Sequence, residues 1–469
     1  MAAATAACLS YASSGPDAGA GGPDATTAGN STSPGGASPT GAVSIVRDGG
    51  SPISPFAFGQ NYWDWVDWSK DGLSGLTGTE SLVGALHLNA IRAGGNNNDQ
   101  NSPLFDTGQI DKFVAYCRMV GAEPILQVPL LANNVDAGPP SAQAAADMVT
   151  YANGMKGYGV KYWEIGNEPD LYSRTYDAGS APVTPEAYCA AFKTYAMAMR
   201  AADKASSDGG PPIQLLGPEL SYQYTPGTDW LTPFLDGCKD DVDIVTVHRY
   251  PFSGAMTSVN GALSGAASFQ SMLHSVGGIV RGHARPNTPL GITETNISYD
   301  YTQSAYTPTS SLAGPGTFYA AMWTADIVGT ALENNLWTLA LWNLAEKSTK
   351  DSVLGYIVGD QPTPAYYGQQ LISGNFRGSI LAPTGTPAGF SVYASYDATK
   401  ATTAVLVLNK NSSASTLAIA IDTLASQAFD FPPMSMTLIQ IPDDPGGATQ
   451  VQRYTAELAD AGMPPQAIE

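Results

Sequence analysis

Basic residues are scarce in this chain of 469 residues. Lys and Arg number 21 against 41 Asp and Glu, so the formal net charge is −20 and the isoelectric point is near 4.4. An acidic surface repels phosphate backbones and anionic lipids, so we expect no nucleic acid partner. We interpret the charge mainly as a source of solubility. The sequence also lacks an uninterrupted apolar run of about 18 residues, so we predict no membrane span.

Histidine and cysteine are equally rare, with four of each. The histidines form no HxH or HExxH motif, and the cysteines form no CxxC pair. We therefore expect no metal and no organic cofactor, and a zinc hydrolase lacks its ligands. The histidines are His87, His248, His274 and His283, and the cysteines are Cys8, Cys117, Cys189 and Cys238.

The first 42 residues contain no Lys or Arg and no apolar periodicity. Their Gly, Ala, Ser, Pro and Thr cannot bury enough apolar surface to offset chain entropy, so we predict a disordered tether. "TAAC" at residues 5–8 resembles the end of a bacterial lipoprotein signal, although no basic or leucine-rich segment precedes it. We expect a secreted or cell-surface protein. Cys8 is either a lipid-anchor site, with the true start upstream, or incidental.

Short apolar runs alternate with helical patterns from about residue 43 onward. Helical spacing is clear in 108–121 and 185–205. Eight strands alternating with helices predict an α/β fold, a (β/α)8 TIM barrel. The strand candidates are 56–62, 90–95, 124–130, 162–167, 213–220, 243–250, 290–296 and 338–344.

The pattern changes after about residue 375, where strands follow one another through short turns. We predict a catalytic barrel over 43–374, a small antiparallel β-sandwich over 375–442 and a C-terminal tail over 443–469. Residues 43–50 belong to the barrel segment or join the sandwich as an N-terminal strand. Cys189 and Cys238 fall near neighbouring barrel helices, so the sequence allows a disulfide or two buried thiols.

Two of the predicted barrel strands end in glutamate. "KYWEIGNEPD" (161–170) stops at Asn167-Glu168-Pro169, and "LGITETN" (290–296) presents Glu294. Polar residues at the carboxyl ends of barrel strands face the active-site mouth, so strands four and seven place both carboxylates across one pocket. Glycoside hydrolysis needs such a pair, one to protonate the leaving oxygen and one to attack the anomeric carbon or activate water.

Four strand-end motifs together resemble those of the clan A retaining glycosidases. They are "RAGGNNND", "EIGNEPDLY", "TVHRYP" and "ITETN". The combination looks closest to the heparanase and β-glucuronidase family (family 79), with families 39 and 44 as near neighbours. The likeness covers about residues 45–441, including a terminal β-sandwich. It implies a (β/α)8 catalytic barrel that hydrolyses glycosides by double displacement.

The resemblance also implies roles for individual residues. Glu168 matches the acid/base and Glu294 the nucleophile. Asn167 would hold the 2-hydroxyl of the sugar, and Arg92 would keep the nucleophile ionised. Tyr250 would donate to the same carboxylate.

Further positions match substrate-binding places in the clan. His248 would lie beside the acid/base or the sugar, and Trp342 would stack under the sugar ring. Trp63 in "NYWDWVDW" is a candidate for outer sugar subsites, or a hydrophobic loop anchor. Glu219, a third carboxylate near the mouth, is expected to bind substrate or support the site structurally.

Structural roles compete with these assignments. Glu168 could cap a helix and Glu294 could be a solvated loop carboxylate. Arg92 could be a structural bridge, His248 an ordinary core histidine and Trp342 barrel packing. Each alternative needs only one residue type in place, whereas the motif explanation needs all of them in order.

We conclude from the sequence that the chain is a retaining glycoside hydrolase of polysaccharide degradation, acting on a β-linked glycan. Because basic residues are few near the strand ends, apart from Arg92 and Arg249, binding of a uronic acid is disfavoured. The alternative is a non-catalytic glycan-binding protein on the same fold. The sugar, the choice between internal and terminal cleavage, and the oligomeric state stay open.

Overall fold

The structure is a computed structural model of the chain. It describes residues 41–62, 76–100, 107–131, 140–175, 183–206, 211–221, 229–252, 257–299, 312–313, 316–346, 354–444 and 446–468. Cys8 and Trp63 lie outside the described residues, so the roles predicted for them stay predictions.

The described strands and helices are numbered here in chain order. The strands are β1 Gly41–Ile45, β2 Ser51–Pro52, β3 Phe58–Asn61, β4 Ala90–Ala93, β5 Glu123–Val128, β6 Tyr162–Ile165, β7 Gln214–Leu220, β8 Ile244–Arg249, β9 Thr257–Ser258, β10 Leu290–Thr295, β11 Leu312–Ala313, β12 Leu339–Leu341, β13 Ala345–Glu346, β14 Ile357–Val358, β15 Gln361–Pro362, β16 Ser379–Leu381, β17 Phe390–Asp397, β18 Thr402–Asn409, β19 Ser415–Ile421, β20 Gln427–Phe431, β21 Ser435–Pro442, β22 Gln450–Thr455 and β23 Gln466–Ile468. The helices are α1 Glu80–Ala85, α2 Asn96–Gln100, α3 Thr107–Val120, α4 Ala142–Val149, α5 Tyr172–Thr175, α6 Pro185–Ser206, α7 Leu231–Cys238, α8 Val259–His283, α9 Phe318–Glu333, α10 Pro364–Ser373 and α11 Ala456–Asp460. A π-helical turn (Thr150–Met155) extends α4, and a 3-10 turn (Pro169–Leu171) follows β6.

Eight parallel strands close into a barrel in the order β3, β4, β5, β6, β7, β8, β10 and β12, with β12 pairing back to β3. These are the eight predicted strands in the predicted order, so the TIM-barrel prediction is confirmed. Their residues are buried almost throughout because helices cover the outer face and side chains fill the interior.

Three of the barrel helices, α8, α9 and α10, begin at side-chain caps that the sequence supplies. The hydroxyl oxygens of Ser258, Thr317 and Thr363 each accept a hydrogen bond from the main-chain N–H three residues on. Such a bond satisfies an N–H that the first turn leaves without a helical partner. Helix α9 is buried on nearly its whole surface because the sandwich packs on the side away from the barrel.

The second unit is a β-sandwich with its own apolar core. A seven-stranded sheet runs β2-β16-β17-β18-β21-β22-β23, and the facing sheet runs β1-β19-β20. Strand β1 pairs in parallel with β19, so the chain enters the sandwich before it enters the barrel. The segment expected to be a C-terminal tail contributes β22 and β23, both paired antiparallel, and their mostly polar, partly exposed residues suit strands near the edge of a sheet.

A buried polar contact joins the two units. Asp326 of α9 pairs with the ammonium of Lys410, and the hydroxyl of Tyr393 donates to its carboxylate at 2.8 Å. The Tyr393 ring lies against Gly329 of α9, where a Cβ atom would come within 2.4 Å of the ring. The close approach requires glycine at that position and fixes how the sandwich sits on the helix.

Cys189 of α6 and Cys238 of α7 form a disulfide, which links two adjacent barrel helices. Of the two arrangements that the sequence allowed, the structure has the bridge. Cys117 is a buried free thiol. Among the described residues no helix combines the length and apolar character that crossing a membrane requires.

Candidate active site

Polar side chains from six barrel strands converge at the carboxyl end of the barrel. Arg92 comes from β4, Glu164 from β6, Glu219 from β7, His248 from β8 and Glu294 from β10, while Asn61 ends β3. All are buried, and Glu168 joins them from the turn after β6. A set this polar is stable inside a barrel only if its members satisfy one another.

Arg92 is the centre of this set and is fully buried. Its Nε donates to Glu164 Oε2 at 2.7 Å, Nη1 to Glu294 Oε2 at 3.1 Å, and Nη2 to Asn167 Oδ1 at 2.8 Å. Nη1 also donates to Asn61 Oδ1 at 2.9 Å. Burial lowers the pKa of Arg92, but the surrounding carboxylates outweigh it and raise the pKa. One guanidinium therefore fixes the nucleophile candidate and its neighbours at once.

Glu164 and Asn61 take part in this set although the sequence reasoning did not single them out. Glu164 lies within β6 between Trp163 and Ile165, and burial raises its pKa to about 8 despite the bond from Arg92. Asn61 donates to three main-chain carbonyls of β10 and β12. The signal for Glu164 was a carboxylate inside an otherwise apolar strand, which is rare unless it is paired.

Glu168 stands on a tight turn. Its φ is +47°, in the left-handed region, and its N–H donates to the main-chain oxygen of Glu219 at 2.8 Å. Pro169 then starts the 3-10 turn, because its fixed φ suits a first helical position. The turn costs about 1 kcal/mol in a non-glycine residue, so it persists only where the surroundings enforce it.

Asn167 is fixed from both sides. Its side-chain oxygen accepts from Arg92, and its Nδ2 donates to Asn96 Oδ1 at 2.7 Å. Its main-chain N–H donates to Asp99 Oδ2 at 3.0 Å, and Asp99 also accepts from the Tyr172 hydroxyl at 2.5 Å. An amide nitrogen carries two hydrogens, so Nδ2 can bind Asn96 and still donate to a sugar hydroxyl.

His248 lies between two carboxylates. Nδ1 is 3.1 Å from Glu168 Oε1, and Nε2 is 3.0 Å from Glu219 Oε2. Burial lowers the pKa of His248, but Glu294 and the bonds to Glu168 and Glu219 outweigh burial and raise the pKa to about 10. The structure thus places His248 next to Glu168, which is one of the two positions that the sequence reasoning expected for it.

Glu294 accepts from the Tyr250 hydroxyl at 2.8 Å on Oε1 and from Arg92 on Oε2. Burial and the neighbouring Glu168 raise the pKa of Glu294, whereas His248, Arg92 and Tyr250 oppose the shift. The two hydrogen bonds, from Arg92 and Tyr250, favour the ionised form of the carboxylate and so oppose the effect of burial; the ionised form is the one that acts as a nucleophile.

Trp342 follows β12 and is almost fully buried. It packs with Leu354 and Tyr250, and Gly95 lies against its ring, with a φ of +112°. A Cβ atom at Gly95 would come within 2.9 Å of the Trp342 ring, so glycine is required there. The ring therefore packs beside Tyr250, whose hydroxyl contacts Glu294, and its stacking on a sugar stays a prediction.

Glu219 lies deeper than a substrate contact would. It is fully buried, its Oε2 accepts from the Thr293 hydroxyl at 2.5 Å, and its Oε1 accepts from the Thr246 hydroxyl. Burial raises the pKa of Glu219, but the hydrogen bond from His248 and the charge of Arg92 outweigh it and lower the pKa. Glu219 is therefore held as a carboxylate behind His248.

One oxygen of Glu168, one oxygen of Glu294 and one nitrogen of His248 lie within 4.8 Å of one another. Three such ligand atoms are a possible metal site. One contact favours an acid–base site instead: Arg92 already places a positive charge beside Glu294, and a second cation there would be repelled.

Comparison with known proteins finds one family match that spans this site. Residues 125–314 match the family model for the glycosyl hydrolase catalytic core. The matched span includes Glu168 and Glu294 and runs from β5 past β10. No curated protein matches the chain by sequence.

Solved structures resemble the chain over nearly its whole length. A bifunctional glucanase-xylanase from a metagenome library is 16% identical, with a TM-score of 0.64 over 87% of this chain and 100% of its own. A family 51 α-L-arabinofuranosidase from Bifidobacterium longum is 18% identical, with a TM-score of 0.63 over 92% and 95%. A family 44 xyloglucanase from Paenibacillus polymyxa is 13% identical, with a TM-score of 0.60 over 84% and 97%. The fold resemblance to clan A glycosidases is confirmed, and placement in family 79 stays a prediction.

Proposed function

We propose that this chain, a glycoside hydrolase with a clan A-type catalytic core, cleaves its substrate with retention of anomeric configuration. Glu294 is the nucleophile and Glu168 the acid/base. The observation that carries the proposal is the short distance between the two carboxyl groups, within 4.8 Å at their nearest ligand atoms. Retaining enzymes hold the pair about 5–5.5 Å apart, whereas inverting enzymes need about 6.5–9.5 Å to admit a water.

The environments of the two glutamates differ as the two roles require. Arg92 and Tyr250 donate to Glu294 and favour its charge, while Glu168 contacts His248 and, within the described part of the chain, no guanidinium nitrogen. A pair of carboxyl groups in unlike surroundings can keep one proton on the acid while the other stays ionised.

In the first step, a carboxylate oxygen of Glu294 attacks the anomeric carbon and the bond to the leaving oxygen breaks. Glu168 gives its proton to that oxygen, so an alcohol leaves and Glu294 becomes a glycosyl ester. Asn167 is oriented by Arg92 and Asn96 to hold the 2-hydroxyl, a contact that strengthens in the oxocarbenium-like transition state.

In the second step, Glu168 is a carboxylate and removes a proton from water. The hydroxide joins the anomeric carbon from the side that the leaving group vacated, and the ester bond to Glu294 breaks. The sugar leaves with its original configuration, and Glu168 holds the proton for the next cycle.

For the substrate we propose a β-linked glycan of plant or microbial polysaccharide. The glucanase-xylanase and the xyloglucanase support a polysaccharide, whereas the arabinofuranosidase favours a second candidate, an α-L-arabinofuranoside. In both linkages the scissile bond and the 2-hydroxyl are trans on the ring, so the same two carboxylates serve either. The disulfide of the barrel supports export, since such bonds persist in oxidising compartments.

The test combines a substrate panel with trapping. Aryl β-glucosides, β-xylosides, β-glucuronides and α-L-arabinofuranosides identify the sugar, and NMR of the first-formed product gives its configuration. The matching 2-deoxy-2-fluoro glycoside with a dinitrophenyl leaving group should add one sugar mass to the peptide that contains Glu294. An inverted product, or label on another residue, refutes the roles. Binding of glycans without turnover of any substrate would instead establish the non-catalytic alternative.

A further inference from the structure

Glu219 is a fully buried carboxylate that the reaction described above does not use. It lies at the end of β7, and its φ of +55° is in the left-handed region, as is that of Glu168. The two strained residues are joined, because the N–H of Glu168 donates to the main-chain oxygen of Glu219. Strained positions of this kind persist where the surroundings enforce them, and they cluster at functional sites.

The carboxylate of Glu219 has a fixed place beneath the site. The hydroxyls of Thr246 and Thr293 hold its two oxygens from the neighbouring strands β8 and β10. Oε2 also lies 3.0 Å from His248 Nε2 and 3.8 Å from Arg92 Nη2. With no exposed surface, Glu219 reaches substrate only through another residue.

His248 is that intermediate residue. An ionised Glu219 accepts only, so His248 Nε2 carries the hydrogen between them. The second ring nitrogen, Nδ1, then faces Glu168 Oε1 at 3.1 Å. A single proton fits that gap, either on the imidazole with Glu168 ionised or on Glu168 with the imidazole neutral.

We propose that Glu219 is a positioning residue for acid–base catalysis, which orients His248 so that His248 and Glu168 share the catalytic proton. The inference rests on the role proposed for Glu168. In the first step the shared proton goes to the leaving oxygen, leaving Glu168 ionised and His248 neutral with Nε2–H still on Glu219. In the second step a water proton returns to the pair, so the cycle balances.

The charges that surround His248 decide how firmly the pair holds its proton. They are Glu168, Glu219, Glu294, Arg92, Glu164 and Asp170. Among them Glu219 has the direct contact with Nε2, and its negative charge favours a proton on the pair. A charge within about 4–6 Å shifts a pKa by about 1–3 units. Loss of that charge should therefore let the proton leave at lower pH.

The first experiment measures kcat/KM against pH for Glu219→Gln, which keeps the shape of the side chain. For aryl glycosides with poor leaving groups, the basic limb should move down by at least about one pH unit. The dinitrophenyl glycoside needs no acid in its first step, so its basic limb should stay in place. If Glu219 has a purely structural role, kcat/KM falls alike for both substrates and neither basic limb moves. That result overturns the proposal.

Asp170→Asn is the matched control. Asp170 is a partly buried carboxylate near Glu168, but it accepts from the N–H and hydroxyl of Ser221 instead of from the imidazole. The basic limb of Asp170→Asn should move by less than half as much as that of Glu219→Gln. In a His248→Gln background, Glu219→Gln should add no further shift, since the residue through which it acts is gone. An equal shift in Asp170→Asn, or full additivity in the double variant, contradicts the relay.

A measurement on the unmodified protein needs no variant to fold. The chain has four histidines, so 15N-histidine NMR resolves each ring. We expect His248 Nε2 to stay protonated across the active pH range while Nδ1 titrates. A ring that keeps its proton on Nδ1 and loses it from Nε2 refutes the inference. The fluoro-sugar trap reports on Glu294 alone, so failure of the relay and failure of the proposed function give different results.

Discussion

Arg92→Met should change both the stability and the pH profile of this protein, because one guanidinium serves two purposes. Methionine keeps much of the volume of the side chain but removes its charge and five N–H donors. Glu164, Glu219 and Glu294 then lose their shared cation inside the barrel. Removing one partner of a buried ion pair costs about 3–5 kcal/mol, since it leaves an uncompensated charge.

The pH dependence of this loss has a defined sign. Without Arg92, the folded pKa values of the three carboxyl groups all rise, and those of Glu164 and Glu294 already lie above the unfolded value of about 4.3. A raised carboxyl pKa penalises the folded state at high pH, where the group must ionise, and the penalty fades as pH falls and the group binds its proton. The stability difference from the unmodified protein should therefore be largest above about pH 7 and shrink toward pH 5.

The kcat/KM of Arg92→Met should fall on the acidic side of its pH profile. Arg92 Nη1 lies 3.1 Å from Glu294 Oε2, and two unit charges about 4 Å apart interact by about 4 kcal/mol at an effective dielectric constant of 20. Water and neighbouring groups screen part of this, so we expect the acidic limb of kcat/KM to rise by about one to two pH units. Arg92→Lys keeps the positive charge but loses the planar set of N–H donors. It should therefore preserve the position of the acidic limb better than it preserves the rate.

Urea unfolding between pH 5 and pH 8 measures the first effect, and pH profiles on an aryl glycoside measure the second. Arg118→Met is the control, because Arg118 pairs with Glu123 on the surface and exposed pairs contribute about 0–1 kcal/mol. If Arg92→Met costs no more than Arg118→Met, or if its acidic limb does not move, the carboxylates are not held by this guanidinium and the electrostatic account of Glu294 is wrong.

Three further outcomes follow from the structure. Azide should restore turnover of a dinitrophenyl glycoside in both Glu168→Ala and Glu294→Ala. The glycosyl azide should keep the configuration of the substrate in Glu168→Ala and have the inverted configuration in Glu294→Ala. If NMR of the products shows the reverse, the two roles are exchanged. Gly329→Ala should cost about 1–3 kcal/mol in urea unfolding, since its Cβ would enter a buried tyrosine ring, whereas Gly278→Ala, with nothing within 4 Å, should stabilise by about 0.5–1 kcal/mol; equal effects would contradict the packing between barrel and sandwich. Opening the disulfide by Cys189→Ser should cost about 2–4 kcal/mol for a separation of 49 residues, and an unchanged unfolding midpoint would show that the bond does not form in the protein.

The barrel could be predicted because its strands carry a local signal. Each is a short apolar run, and several, such as β6 and β10, stop at polar residues where the carboxyl end reaches the mouth. That signal located Glu168 and Glu294 without any knowledge of contacts. It missed β22, whose "QVQRYT" contains only Val451 and Tyr454 as apolar or aromatic residues and is partly exposed. When only one face of a strand near a sheet edge is covered, its sequence pattern is similar to that of a connecting segment.

The buried residues that hold the site in place could not be predicted from the same sequence signal. Glu164 lies within a strand that is buried on both faces, so the alternation of polar and apolar residues carries no information about direction. Its partner Arg92 is 72 residues away in sequence, and only closure of the barrel brings them together. Asp99, which holds the Asn167 turn, belongs to an Asn-rich segment whose composition favours a turn but does not identify an anchor.

The protonation of the site is a property of the whole set and not of any single glutamate. Four buried carboxyl groups, those of Glu164, Glu168, Glu219 and Glu294, face two cationic side chains, so full ionisation leaves a charge of −4 + 2 = −2. A buried site of low dielectric disfavours that state, and protons bind where the fewest donors already point. Glu219 accepts from two hydroxyls and contacts the imidazole, and Glu294 accepts from Tyr250 and Arg92, whereas Glu164 accepts from Arg92 and Glu168 contacts the imidazole. Of these two only Glu168 stands on the turn that faces the mouth, so the strand order that closes the barrel also decides which glutamate can deliver a proton.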